Sequence, residues 1–549
     1  MNNEKYTTKR GASVQINQTG IKETNKIIAV VDTETDPFQH NLIVKPFALG
    51  FYDGTRYIDF WGDDCVDQFF AWLNIETASG VEYLIYAHNG GKFDFHFFLD
   101  YLTEKKKPLI MNGRLTKVTF ADQEFRDSFA IIPQALGTYS KIKFDYNKMK
   151  REVRQKHRVE ILFYQKDDCL KLYDLVFAFH KMFGDKITIA SAAMTALSSF
   201  HDFDKITSEY IDNTFRDFYY GGRNQCFKTG LLKGKWKLYD RNSMYPKVME
   251  ELQHPISNTF KISKKLTNNT DFALIEAVNY NCLPTRDEKT GGLDFTIKRG
   301  QFFATGHEIR CGLETNTIKI ERVIDAYTFN QKANFSDFVH HFYKLRNIAK
   351  ADDDKIRDIL YKLILNSAYG KFAINPRKFK EYMFTIDALP DENDWSLESQ
   401  TDRLFIWSRP APKKDGFFNV ATAASITGGA RANLHMNLCQ SINPIYCDTD
   451  SILCVQFNGD INDTALGGWK LEKTCNTAAI AGKKLYALYD DIPDDFDDQA
   501  KFASKGVRLK PSDIVRICQG ETVEYANPVP AFRLGKQTKF VTRNIKMTG

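Results

Sequence analysis

Hydrophobic and polar positions switch between two periods along this 549-residue chain. After 26 polar and charged residues that read as a tail, "IIAVV" (27–31) is the apolar, β-branched run of a buried strand. Strand and helix patterns then mix to about residue 185, and from 186 to about 260 a linker-like helix leads to "YYGGR" (219–223), whose paired glycines mark a tight loop. The strand-like "WKLYD" (236–240) follows, and the turn-rich "LPTRDEKTGGLDFTIKRG" (283–300) is expected to begin an inserted element. A helical block is expected from about 336 to 369, with Lys362, Asn366 and Tyr369 on one face and Leu360, Leu363, Ile364 and Ser367 on the other. "PDENDWSLESQTDR" (390–403) is an acidic interruption between apolar segments, the profile of a surface excursion. "YCDTDSILC" (446–454) sets two aspartates one residue apart in an apolar stretch. If it is extended, Asp448 and Asp450 share one face, and Ile445, Cys447 and Thr449 take the other.

Composition narrows the class. Hydrophobic residues make up 43% and charged residues 26%, as in a soluble globular protein, which excludes disorder and fibres. A net charge of +6 permits a nucleic-acid partner without demanding one. From Arg533 onward Lys536, Lys539, Arg543 and Lys546 occur without an acid, either a phosphate-binding patch or a solvated end. Ten cysteines include no Cys-x-x-Cys pair, so neither zinc nor redox chemistry is indicated. With no signal-peptide pattern near Met1 and no run of 18 apolar residues, a cytoplasmic protein without a membrane contact is expected.

The candidate chemistry is carboxylate chemistry. Asp448 and Asp450 on one low-dielectric face would raise each other's pKa unless a cation held them ionised, and Mg²⁺ takes such oxygen ligands together with substrate phosphates. A hairpin turn is the ordinary home of an isolated Asp-x-Asp. In the N-terminal third, "VVDTETDPF" places Asp32 and Glu34 on one face of a strand, "YAHNGGKFDFHFF" (86–98) brings Asp94 behind a glycine loop, and "FYQKDDCLKLYDL" (163–175) sets Tyr164 and Asp168 one helical turn apart. Any one of these alone is an acidic loop or helix end. Together they offer four carboxylates for a pair of metal ions in phosphodiester hydrolysis, with Tyr164 to hold water and Lys143 in a basic segment between the second and third clusters. In the C-terminal part, "KLYDRNSMYP" (237–246) ends a strand on Asp240 and holds Tyr245 close by. "YKLILNSAYGKF" (361–372) pairs a lysine suited to a triphosphate with a tyrosine suited to a base or sugar.

At this point the residues resemble a known family. Asp240 to Pro246, Lys362 to Gly370 and Tyr446 to Ser451 are similar, in order, to the three polymerase motifs of family B DNA polymerases. Asp32-x-Glu34, His88 to Asp94 and Tyr164-x-x-x-Asp168 resemble the three motifs of their 3′–5′ exonuclease. "YYGGR", and "KLY" at 484–486, resemble signatures of the protein-primed branch of bacteriophages and linear plasmids. "HNGGKFD" is most like the enzymes of tailless, membrane-containing phages.

The resemblance implies a multidomain α/β (α+β) fold. An RNase H-like exonuclease (27–185) would follow the tail (1–26) and precede a right-hand polymerase. Its parts would be palm (186–284), a first insertion contacting a priming protein (285–338), fingers (339–372), a second insertion encircling template for strand displacement (373–416), palm (417–490) and thumb (491–549). It further implies that Asp240 and Asp450 bind two Mg²⁺ or Mn²⁺ ions, with Asp448 supporting them. Tyr245 would exclude a ribose 2′-hydroxyl, Tyr369 would pack at the nascent base pair, and Lys362 and Lys350 would grip phosphates. Tyr219, Gly221, Gly222, Ser243, Asn366, Gly370, Lys484 and Tyr486 would meet template, primer or nucleotide. In the exonuclease Asp32, Glu34, Asp94 and Asp168 would hold two metal ions, Tyr164 and Lys143 would assist, and His88, Asn89, Phe93, Ser128 and Phe129 would cradle a frayed 3′ end. Partners would be DNA, deoxynucleoside triphosphates and a terminal protein, for a monomer in the host cytoplasm. Arg241 departs from the branch's usual apolar residue, and the acidity of 390–403 puts that insertion's grip on DNA in question. A conventionally primed family B polymerase, a nuclease with a degenerate polymerase half and a DNA-clamping protein are the competing readings.

Overall fold

Apolar runs that are buried on both sides build the N-terminal half. The computed structural model describes residues 26–36, 44–102, 105–139, 142–203, 209–386, 394–412, 416–490, 496–526 and 542–548, with only the backbone of short strands at 6–7, 13–14, 531–533 and 536–539. The elements are β1 (Ile27–Thr35), β2 (Pro46–Tyr52), β3 (Tyr57–Trp61), α1 (Cys65–Ala78), β4 (Tyr83–Ala87), β5 (Leu109–Met111), β6 (Arg114–Phe120), β7 (Gln123–Asp127) and α2 (Arg158–Phe183). The sheet order is β3-β2-β1-β4-β7-β6-β5, with β1, β4 and β7 parallel and the outer pairs antiparallel. Alternation along β1 divides the packing: Val30 lies in one core with Cys169 and Leu172 of α2, whereas Ala29 and Val31 lie in another with Phe69 and Leu73 of α1. The tail lies almost wholly outside the described residues.

The C-terminal half continues with α3 (Ile189–Phe200), β8 (Asn224–Cys226), β9 (Gly230–Arg241), α4 (Met244–Glu251), β10 (Phe260–Ser263), β11 (Phe272–Asn279), β12 (Arg299–Thr305), α5 (Gly306–Glu314) and β13 (Ile318–Phe329). It goes on through α6 (Ser336–Ala351), α7 (Lys355–Phe372), β14 (Lys380–Thr385), β15 (Ser396–Gln400), β16 (Phe405–Pro410) and α8 (Val420–Cys439). It ends with β17 (Tyr446–Asp448), β18 (Ser451–Cys454), β19 (Trp469–Gly482), β20 (Leu485–Tyr489), β21 (Lys501–Ser504) and α9 (Pro511–Cys518). An antiparallel sheet in the order β8-β17-β18-β9-β19-β20-β21 carries the first and third polymerase-like motifs, and the second lies on α7.

Several expectations need correction. The linker-like helix is α3, a core element whose Ala193 and Leu197 share an apolar cluster with Leu360, Ile364 and Ala368 of α7. The single helical block is two helices, broken where Asp353 adopts φ +54°. Residue 285 does not begin a separate sheet: β10 and β11, which precede it, share one sheet with β13 and β12, in the order β10-β13-β11-β12. Residues 390–393 of the acidic excursion lie outside the described residues. Its remainder joins a three-stranded sheet, β14-β16-β15, whose Phe384, Leu404 and Ile406 are buried against the exonuclease-like core. Helix α8 was not anticipated because it is buried all round and so has no polar stripe. Its small residues admit close neighbours: a Cβ on Gly428 would lie 2.4 Å from Thr305.

Candidate active sites

Three neighbouring strands of the second sheet assemble the carboxylates. Asp240 lies at the end of β9, paired in register with Ser451 of β18. The segment 446–454 is not one extended strand, which corrects the period-two reading. It is a hairpin in which Thr449 takes φ +55°, the Thr449 N–H donates to the Arg223 carbonyl (2.6 Å) and the Asp450 N–H donates to the Asp448 carbonyl (2.6 Å). Burial, then the charge of Asp450, pushes the Asp240 carboxyl up to about 7. Burial, then Asp448, pushes Asp450 up to about 6. Lys484 donates to both oxygens of Asp448 (2.7 and 2.6 Å), so these two residues engage each other. Lys484 is itself held at φ +59°, with its N–H donating to the Tyr446 hydroxyl (3.1 Å), and the Tyr486 ring lies 5.2 Å from that of Tyr446. Arg241 is buried and donates through Nε to the Gly467 carbonyl (2.7 Å), which explains a side chain the motif left unexplained.

Above the carboxylates, Ser243 turns the chain into α4 with φ +55°, and Tyr245 stacks on Tyr369 of α7. Burial pushes the Tyr245 hydroxyl up to about 12. Lys362, Asn366 and Gly370 are exposed on α7, and Lys350 is exposed on α6. Lys350 is shifted below the ordinary lysine range by partial burial, and then by Arg346, Lys362 and Lys470. The YYGGR loop lies against the hairpin, since a Cβ on Gly222 would stand 2.7 Å from Thr449 Oγ1 and 3.0 Å from the Tyr245 hydroxyl. Tyr219 is half-buried and Gly221 exposed. Arg431, which motif reading missed, ties the loop down: it donates to the Tyr220 (2.7 Å) and Gly221 (2.9 Å) carbonyls and pairs with Glu308 (2.8 Å), both side chains being 1% exposed.

In the first half Asp32 and Glu34 lie on β1, Asp94 begins the short helix Asp94–Phe97, and Asp168 lies on α2 one turn beyond Tyr164. All four bear on Cys169, whose thiol is raised by burial and then by Asp32, Asp168, Glu34 and Asp94. Burial pushes Asp94 up to about 7 against two bonds from Thr33, through its hydroxyl (2.5 Å) and its N–H (3.2 Å). Tyr164 stacks on Phe144 (4.7 Å), and its acidity is weakened by burial, the Tyr146 hydroxyl and the charges of Asp168 and Glu34. Lys143 is exposed. His88 is linked to the Ser128 hydroxyl (2.9 Å) and lowered to about 4 by burial. Asn89 takes φ +63° and accepts from Arg114 (2.8 Å), whose guanidinium lies 4.4 Å from the Phe129 ring centroid. Phe93 is half-buried and meets Phe97 edge-on. Thr33, Arg114 and Asp127, the partner of Arg114, are additions that no spacing rule marks.

Both centres fit divalent cations. Carboxylates pushed toward neutrality by burial and mutual repulsion are the charge that a cation would compensate. Among the described residues no three His, Cys, Asp or Glu side chains are grouped to hold an ion alone, so pairs of carboxylates would share it with substrate oxygens and water, as suits Mg²⁺. Among the described residues no helix is long and apolar enough to cross a membrane.

Residues 77–148 and 139–451 match the family described as DNA polymerase type B, organellar and viral. The chain is 41% identical over 562 residues, 96% of its length and 99% of the relative's, to the DNA-directed DNA polymerase of Enterobacteria phage PRD1. It is 23% identical to a probable DNA polymerase of Ascobolus immersus, over 85% of this chain and 46% of that one. The fold superimposes on Phi29 DNA polymerase complexed with primer-template DNA with a TM-score of 0.69 at 19% identity, covering 95% of this chain and all of that one.

Proposed function

The chain belongs to the organellar and viral type B DNA polymerases and is a DNA-directed DNA polymerase, and we propose that it copies a linear viral genome in the cytoplasm of an infected cell, starting from a terminal-protein primer, displacing the strand ahead and proofreading with its N-terminal half. The observation that carries the synthetic centre is the pair Asp240, near the end of β9, and Asp450, in the turn that leads into the neighbouring strand β18, both driven toward neutrality by burial and like charge.

Asp240 and Asp450 would hold two divalent ions, Mg²⁺ or Mn²⁺, with Asp448 in support. When bound, such ions acidify the attacking 3′-hydroxyl and neutralise the departing pyrophosphate. Lys350 and Lys362 orient the triphosphate as point charges. Tyr245 occupies the space a ribose 2′-hydroxyl would need, and Tyr369 packs against the base. Ser243, Asn366, Gly370, Tyr219, Gly221, Gly222, Lys484 and Tyr486 position template and primer. For hydrolysis of a mispaired end, Asp32, Glu34, Asp94 and Asp168 supply the carboxylates. Tyr164 and Lys143 orient water, and His88, Asn89, Phe93, Ser128 and Phe129 hold the single strand by stacking and hydrogen bonds. At initiation a side-chain hydroxyl of a separate protein takes the place of the primer hydroxyl. The phage relative supports a viral setting, and protein priming rests on the motif resemblance.

Asp450→Ala should abolish primer extension and leave degradation of single strands intact; unchanged synthesis would sink the assignment. Asp32→Ala with Glu34→Ala should do the reverse, and surviving exonuclease activity would show that the N-terminal site is misplaced. Extension of a primer on a single-stranded circle tests displacement: products longer than one circle support it, and products that stop at one circle refute it for the protein alone. Priming is tested with genome-end DNA, a labelled nucleotide and the candidate terminal protein. Label that stays with DNA and never becomes covalently attached to protein would refute it.

A further inference from the structure

We propose that Lys470, on the strand next to Asp240, is a third lysine for the phosphate chain of the incoming nucleotide and for the pyrophosphate that leaves. This rests on the polymerase reading and assigns a residue that the motifs do not contain.

Three observations converge on it. In the β9–β19 pair Asp240 and Lys470 stand opposite each other, and such cross-strand neighbours emerge on the same face of a sheet. Lys470 is exposed, and among the described residues no carboxylate forms an ion pair with it, Asp240 included. Other cations in the area are already engaged: Lys501 with Glu472 (2.7 Å), Lys484 with Asp448 (2.6 Å) and Arg346 with Asp358 (2.7 Å). The third observation is its reach. Lys470 and Lys362 are both close enough to Lys350 to disfavour its protonation.

Lys470 from the palm strand, Lys362 from α7 and Lys350 from α6 therefore form a cationic cluster beside two carboxylates, without an ion-pair partner among the described residues. Mutual repulsion makes such a cluster unfavourable until a polyanion enters, and a triphosphate is a polyanion that must come to Asp240 and Asp450 to react. The two sources of cation play different parts. Lys350 and Lys362 ride on helices, whereas Lys470 is fixed to the sheet that carries Asp240, so its contact does not depend on where the helices stand. It suits the group that must be held after the bond to the α-phosphorus breaks.

The test is steady-state extension of a primed template by the full chain, with pyrophosphorolysis measured in parallel. Lys470→Gln should raise KM for deoxynucleotide and for pyrophosphate by roughly tenfold each, the size of one hydrogen bond to a charged group, with a smaller change in kcat. Lys470→Arg should restore most of both. Lys473→Gln, on the same strand but opposite Leu238 rather than Asp240, is the control for general charge. Degradation of single strands should be unchanged in all three, which also reports folding. Unaltered KM values in Lys470→Gln, or an equal shift in Lys473→Gln, overturn the proposal. Failure of the polymerase reading would show separately, as absent extension by the unmodified chain or synthesis by Asp450→Ala.

Discussion

Tyr245 and Tyr369 stack with ring centroids 4.5 Å apart and planes 14° from parallel, one in the first turn of α4 and the other near the end of α7. The contact joins two helices far apart in chain order, and Tyr245 lies beside the hairpin that carries Asp450, since a Cβ on Gly222 would meet both Thr449 and the Tyr245 hydroxyl. Tyr245→Val removes the ring from the space beside the sugar. Ribonucleotide incorporation should rise relative to deoxynucleotide by about 10–200-fold, the range a lost steric contact commands. Competing incorporation of the two nucleotides on a primed template measures it, and unchanged discrimination would remove Tyr245 from that role.

Gly222→Ala should damage synthesis without touching hydrolysis. Its Cβ would meet Thr449 at 2.7 and 2.9 Å and the Tyr245 hydroxyl at 3.0 Å, so the hairpin or the tyrosine must shift. A displacement of that kind near reacting groups costs on the order of 10²-fold. Primer extension compared with single-strand degradation in the same preparation checks it, and equal loss of both would point to misfolding instead.

Gly91→Ala should do the converse. The added Cβ would lie 2.2 Å from the backbone carbonyl of Leu115, which cannot swing away as a side chain would. Overpacking of this kind costs about 1–3 kcal/mol or more. Exonuclease activity should fall well below that of the parent at 37 °C while extension persists; intact exonuclease activity would mean that the loop relaxes freely.

A hydrogen-bonded pair of histidines should make stability depend on pH. His254 is linked to the Val248 carbonyl (3.1 Å) and the Ser425 hydroxyl (2.9 Å), and Ser425 is linked to His307 Nε2 (3.1 Å), whose Nδ1 faces Arg310 (3.0 Å). Burial lowers His254 to about 4, and burial with His254, Arg310 and Lys332 holds His307 well below the usual histidine range. Because both are depressed in the folded state, their stabilisation is complete above about pH 6.5 and is lost as pH falls through that value toward 4. His254 alone accounts for on the order of 3 kcal/mol across that window. Thermal melts of the parent and of His254→Gln between pH 7 and pH 5 test this, and identical slopes in the two proteins would refute it.

Some of this was legible in the chain. The carboxylates Asp32, Glu34, Asp94, Asp168, Asp240 and Asp450 stood out because acids in apolar runs contradict their surroundings, and the contradiction is visible without coordinates. The β-branched run at 27–31 announced β1 for the same reason. Thr33, Arg114, Arg431 and Lys470 gave no such signal, since a threonine, an arginine or a lysine is unremarkable until its neighbour in space is known.

By itself the sequence determined which chemical groups are available, the order in which they occur and the short-range periods that make strand and helix, because these depend on residue type and spacing alone. Only the tertiary structure decided that Asp448 pairs with Lys484 and that Asp450, in the turn, adds its charge to the burial that raises Asp240. It also decided that α8 is buried on every side, and that β10 and β11 belong with β12 and β13. Those outcomes depend on contacts between residues distant in the chain, where packing and the low-dielectric repulsion of like charges choose among conformations that local spacing leaves equally open.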